Sequence, residues 1–160
     1  MTGYLALGAN LGDRRATLAA AALALDKVEG LRVVAQSRVY ETVPEGHAPQ
    51  PMYLNSVVRV ETRLDARRLL EVCLGIERDL GRVRPADGSK AARVIDIDVL
   101  LLGDQMIDEP GLTVPHPALL GRPFVRIPLA DVAVPGLRHP KSGEALDSFR
   151  PHPDVRPWSG

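Results

Sequence analysis

Cysteine is nearly absent from this 160-residue chain, where Cys73 stands alone. A single thiol excludes an internal disulfide framework and fits a reducing compartment. Aromatic side chains are scarce as well, at 4% of the residues, so those at motif positions carry unusual weight. Charge of one sign is missing: twenty Lys and Arg balance twenty Asp and Glu. No overall field therefore draws the protein to nucleic acid or a membrane surface. No apolar run approaches the ~20 residues of a membrane span, and no signal-peptide pattern precedes the first strand-like segment. The expectation is a cytoplasmic monomer that works on small molecules. What is present is ordinary for a globular protein, with 45% hydrophobic and 25% charged residues. The chain is expected to form one domain over residues 1–160, with a loosely ordered tail from about Pro151.

The most informative stretch is GRVRPADGSKAARVIDIDVLLLG, from Gly81 to Gly103. A loop with four cations (Arg82, Arg84, Lys90 and Arg93) and one anion (Asp87) leads into an apolar run that Asp96 and Asp98 interrupt. Ile95, Ile97 and Val99 are β-branched, so the run reads as a strand with side chains alternating between faces. Asp96 and Asp98 then share a face, with Cα atoms about 6–7 Å apart. Paired carboxylates suit Mg²⁺ or Mn²⁺, and such sites usually bind phosphate too. Beside a basic loop they point to a nucleotide triphosphate. The blander alternative is a half-exposed strand with acids on its wet face and a solvated loop next to it.

Along the rest of the chain, residues 2–8 read as a strand that ends in the turn GANLGD. Asp13 is placed to cap a helix over Arg14–Glu29, which Gly30 would end. This opening lacks the lysine of a phosphate-binding P-loop and the spacing of a dinucleotide fingerprint, so it reads as a structural turn. Strands are expected at 31–40 and 53–62, separated by the proline-rich ETVPEGHAPQPM. A second helix is expected over Ala66–Leu80, with Leu69, Leu70, Cys73, Ile76 and Leu80 on its apolar stripe and Glu77 in its last turn, towards the basic loop. Cys73 fits that stripe as a packing residue. With the aspartate strand the order becomes β-α-β-β-α-β. The expected class is α+β: a ferredoxin-like antiparallel sheet, helices on one face, and a C-terminal covering segment. That segment should hold a short hairpin and a helix near Phe124–Val132.

Six motifs occur in a particular order: Y-E-T-x-P-x-G at Tyr40–Gly46, Y-L-N-x-V at Tyr53–Val57, G-R-x-R at Gly81–Arg84, R-x-I-D-I-D at Arg93–Asp98, L-T-V-P-H-P at Leu112–Pro117, and R-x-F-V-x-x-P-L at Arg122–Leu129. In this order they resemble the 6-hydroxymethyl-7,8-dihydropterin pyrophosphokinases, over about residues 2–140. The resemblance implies transfer of pyrophosphate from ATP to the pterin alcohol, with AMP as the other product and two Mg²⁺ ions as cofactor. By that resemblance Asp96 and Asp98 hold the metals, and Arg84 and Arg93 join them as catalytic residues. Thr42, Val43, Pro44, Glu45, Tyr53, Asn55, Asp96 and Phe124 would bind the pterin, with Tyr53 and Phe124 stacking on its two faces. Glu77, Arg82, Arg84, Lys90, Arg93, Ile97, Thr113, His116 and Arg122 would bind the nucleotide.

The chemistry of the residues agrees with these roles. Two metals held by carboxylates can clamp attacker and leaving group in line, and arginine forks onto phosphate oxygens more directionally than lysine. Asn55 in a β-branched strand is costly unless its amide has partners. The chain departs from many relatives in two places: ADGSKAAR has no tryptophan, and EPG stands before LTVPH where an arginine is common. The residues alone leave two other readings open. Ferredoxin-like sheets also bind RNA through exposed aromatics, although Asp96 and Asp98 would repel a phosphate backbone. Paired carboxylates also serve polymerase and nuclease sites.

Overall fold

In a computed structural model, residues 1–43, 52–81 and 94–160 are described. The first strand, β1 (Thr2–Ala9), alternates its side chains between two buried surfaces, as an interior strand of the sheet does. Gly12 then turns the chain with φ +65°, and Asp13 caps helix α1 (Arg14–Asp26) by accepting from Ala16 N at 3.1 Å. α1 stops three residues short of the expected Glu29. Its last residue, Asp26, accepts from Val33 N at 2.9 Å, and Leu31 N donates to Val28 O, so the chain has already turned into the next strand.

The expected strand at 31–40 is two strands, β2 (Leu31–Gln36) and β3 (Tyr40–Thr42). Both pair with β4 (Tyr53–Thr62), but a register irregularity between Val33 and Ala35 puts the ladder out of step. Ser37 fills the break: its backbone N donates to Val57 O, and its hydroxyl accepts from Val57 N. Helix α2 (Ala66–Asp79) follows, capped by Asp65, whose carboxylate accepts from Arg68 N at 2.8 Å. The aspartate strand is β5 (Asp96–Leu102). Strands β6 (Ile107–Glu109) and β7 (Leu112–Val114) form the expected hairpin, and helix α3 (Pro123–Val132) comes after it. The stretch after Pro151, where a loose tail is expected, holds a short strand. There β8 (Val155–Pro157) pairs with β3, and Trp158 N donates to Val39 O, so its backbone groups have sheet partners.

The sheet runs β5-β1-β4-β3-β8, with β2 also on β4; all its pairings are antiparallel, so the fold is α+β. One face carries Leu5, Leu7, Val58, Ile97 and Val99 against α1 and α2. The other carries Tyr4, Val57 and Leu100 against Val125, Leu129 and Val132 of α3. Each fully buried aliphatic side chain stabilises by ~1.5–3 kcal/mol, so both layers contribute to holding the sheet. No helix among the described residues is long and apolar enough to cross a membrane.

Candidate active site

The α3 side of the sheet is not apolar throughout. In the register of β5, β1, β4 and β3, Asp96 lies opposite Gly8, Gly8 opposite Asn55, and Asn55 opposite Tyr40. These four residues form a row across four strands, all on one face. Asp98, opposite Ala6, and Tyr53, opposite Thr42, lie on the same face one step to either side. The spacing rule that put Asp96 and Asp98 together therefore holds in the folded strand, where both are half-buried while Ile97 between them points into the helix layer.

Asn55 has the partner its position demands. Its Nδ2 donates to the Thr42 hydroxyl at 2.6 Å, and Thr42 is buried at the end of β3. The Asn55 Oδ1 lies over Gly8, where a Cβ would stand 2.9 Å from it and 3.6 Å from the Tyr53 ring. Gly8 is the residue that sequence reasoning missed. The sequence places it where the strand over residues 2–8 runs into a turn, and in the structure it lies between Asn55 and Asp96. A glycine inside an apolar strand was the available signal, because it often marks close approach of another group.

Beyond the sheet, His116 is anchored by its backbone N, which donates to Leu100 O at 2.9 Å, while its Nδ1 accepts from Ala118 N at 3.1 Å. Burial holds its imidazole below the ordinary range; Asp98 pulls the other way and Arg122 adds to the lowering. His116, Asp98 and Arg122 thus act on one another electrostatically. Arg122 occupies the N-cap position of α3, with its guanidinium 5.5 Å from the centre of the Phe124 ring. Phe124 is half-buried against the α3-side cluster.

Besides Ile97, two expected nucleotide residues lie off this face. Glu77 is buried on the helix side of β5, where its carboxylate accepts from Ile97 N at 2.8 Å instead of only edging towards the loop. Thr113 is exposed on the hairpin, paired with Asp108. Val43 is 53% exposed just after β3. Pro44 and Glu45, and the four cations Arg82, Arg84, Lys90 and Arg93, lie outside the described residues. Cys73 packs in the helix-side core as expected, and burial there pushes its thiol up to about 12.

Residues 4–134 match the family model of 7,8-dihydro-6-hydroxymethylpterin-pyrophosphokinase (HPPK). The chain belongs to this family. A 2-amino-4-hydroxy-6-hydroxymethyldihydropteridine pyrophosphokinase of Methylorubrum extorquens is 45% identical to this HPPK over 130 residues, 81% of each chain. The enzyme of the same name from Pseudomonas aeruginosa is 42% identical, over 86% of this chain and 83% of its own. Among solved structures, wild-type Plasmodium falciparum HPPK-DHPS superposes with a TM-score of 0.69 at 17% identity. That match shows the fold; it covers 91% of this HPPK, which spans only 40% of the longer chain. As a member of the family, the protein is a pyrophosphokinase acting on 6-hydroxymethyl-7,8-dihydropterin.

Proposed function

We propose that the α3-side face of the sheet is where this enzyme joins its two substrates. Pyrophosphate passes from ATP to 6-hydroxymethyl-7,8-dihydropterin, in folate biosynthesis, and AMP is released. The observation that carries the reading is the row Asn55, Gly8, Asp96 on three adjacent strands. Two inter-strand steps span about 9–10 Å, the scale of a bicyclic ring with its hydroxymethyl arm. With its Nδ2 engaged by Thr42, Asn55 offers Oδ1 to the ring's N–H groups. Tyr53 and Phe124 supply the stacking faces, and the backbone of Thr42, Val43, Pro44 and Glu45 completes the polar contacts.

The carboxylates of Asp96 and Asp98 fit Mg²⁺, a hard cation that usually takes one or two carboxylates and completes its shell with phosphate and water. When bound there, two Mg²⁺ ions supply neutralisation of the phosphate charge and in-line alignment. Arg84 and Arg93 fork onto the phosphate oxygens, with Arg82, Lys90, His116 and Arg122 adding positive or donor groups. Thr113, exposed on the hairpin, would reach the nucleotide directly, whereas Glu77 and Ile97, buried on the helix side, would act on it only through the β5 backbone that they fix. The pterin hydroxyl oxygen forms the new bond to the β-phosphorus, the α–β bridging bond breaks, and the hydroxyl proton is released.

We read the strand order β5-β1-β4-β2 as ferredoxin-like, with residues 104–160 as its covering segment, and the protein as a cytoplasmic monomer. Titration calorimetry with an ATP analogue, Mg²⁺ and hydroxymethylpterin tests the assignment. The wild type should bind both ligands, and Asp96→Ala or Asp98→Ala should lose about 100-fold or more in turnover while remaining folded. Wild-type activity in either variant at saturating Mg²⁺ would remove that residue from the metal site.

A further inference from the structure

Helix α3 carries Phe124 and is seated on the sheet by Val125, Leu129 and Val132, a seat to which polar contacts add direction. Among the described residues no side chain caps its N-terminus, and Pro128 inside it removes a backbone donor. The polar contacts come from neighbours. Near the start, buried Arg126 donates to Leu120 O, Ala145 O and the Glu144 carboxylate. At the far end, Arg59 donates to Val132 O at 2.8 Å and Val134 N donates to the Tyr4 hydroxyl at 3.0 Å. One more contact fixes how the helix is rotated: Tyr40 donates its hydroxyl to Asp131 Oδ2 at 2.6 Å.

Asp131 is seven residues after Phe124, two helical turns away and on the same side of α3. Any rotation that frees Asp131 from Tyr40 therefore turns Phe124 as well. Tyr40 is also tied to the other wall. It pairs with Asn55, and two residues later Thr42 holds the Asn55 amide. We propose that the Tyr40–Asp131 hydrogen bond is a positioning latch. It sets Phe124 against the Tyr53–Asn55 floor and thereby determines how tightly the pterin ring is gripped. The latch rests on the pterin site proposed above.

The contact is built to persist. The Tyr40 residue is 2% exposed. Its acceptor carries a charge, which roughly doubles the strength of a neutral bond. Burial, and after it the Asp131 carboxylate, push the phenol up to about 12, so Tyr40 remains the donor at working pH. Arg38 stacks on the Tyr40 ring at 5.4 Å and reaches Asp131 through its backbone N at 3.3 Å and Nε at 3.5 Å, which keeps the carboxylate in place.

The test compares Tyr40→Phe, Asp131→Ala and Asp131→Asn with the wild type in steady-state kinetics and in binding of hydroxymethylpterin and of an ATP analogue. Tyr40→Phe and Asp131→Ala should each raise the pterin KM about tenfold and leave the ATP KM within about twofold. The double variant should cost no more than either single one, because both remove one contact. Asp131→Asn still accepts from the hydroxyl and should stay near wild type. Emission from Trp158, whose backbone N is bonded to Val39 beside β3, reports that the strand remains folded. An unchanged pterin KM in Tyr40→Phe, or an equal rise for both substrates, overturns the latch. A wild type that binds ATP but no pterin overturns the site itself, and the latch with it.

Discussion

Replacing Gly8 with alanine is the sharpest probe of the proposed pterin site, because the backbone tolerates it and the neighbour does not. Gly8 lies in β1 and is not among the glycines held at positive φ, so an alanine there strains no dihedral. Inside a strand the change should favour folding slightly, by about 0.5–1 kcal/mol. The new Cβ, however, would sit 2.9 Å from Asn55 Oδ1, closer than real Cβ atoms come, while its 3.6 and 3.9 Å approaches to the Tyr53 ring are ordinary contacts. The Asn55 amide must therefore swing. That breaks its bond to Thr42, worth about 0.5–1.5 kcal/mol net, and displaces the acceptor from the ring edge, for a similar second loss. Only the second loss weakens binding, because the Thr42 bond is broken in free and bound protein alike and merely offsets the strand's gain in stability. That second loss, about 0.5–1.5 kcal/mol, corresponds to about 2- to 13-fold weaker pterin binding. Calorimetric titration of hydroxymethylpterin in the presence of an ATP analogue measures it, with thermal melting to show that stability is kept. Pterin affinity within twofold of wild type would refute the geometry, and so would an equal loss for the nucleotide.

Two further outcomes are expected. Tyr53→Ala and Phe124→Ala should each weaken pterin binding by ~1–3 kcal/mol while sparing the ATP analogue, as removal of stacking surfaces does; matching losses for both ligands would mark the rings as core. His139 should make the fold sensitive to acid. Its Nδ1 accepts from Lys141 N and Ser142 N, and burial lowers its pKa from 6.5, with Glu144 opposing and Arg126 and Lys141 adding. Above pH ~6.5 both folded and unfolded states are neutral and the contribution is complete. As the pH falls below that value the unfolded chain takes the proton first, so stability is lost until the folded pKa is passed. Melting temperatures of wild type and His139→Gln, followed from about pH 7 to about pH 5, should diverge, with the wild type falling more steeply; parallel curves would contradict the assignment.

Much of this arrangement was legible because local rules acted without competition. The bounds of β4 follow from its β-branched run between turn residues, and Asp13 and Asp65 cap their helices as their positions required. The common face of Asp96 and Asp98 is a consequence of strand periodicity alone. What escaped depended on partners far along the chain. The break between β2 and β3 is made by Ser37 against Val57, and nothing in LRVVAQSRVY announces it. A proline-bounded tail gave no strand signal, since β8 is defined by the edge of β3. Helix periodicity puts Glu77 in the last turn, towards the basic loop; only the placement of β5 gives its carboxylate a buried backbone donor. Gly8 became informative once Asn55 was seen to lie across from it.

The pairing of β8 with β3 bears on how the enzyme is born. β3 is the short strand that leads into the proposed substrate segment, and its outer edge has no ladder partner until residues 155–157 are available. During synthesis β1, β4 and β5 can pair long before that stretch leaves the ribosome, so a sheet forms first and its substrate-side border is sealed last. Competence to grip the pterin should then lag behind compaction, arriving only with the emergence of Val155, Arg156 and Pro157. Nascent chains stalled before that point would be folded at the centre and open at the rim, with the edge of β3 available to strangers.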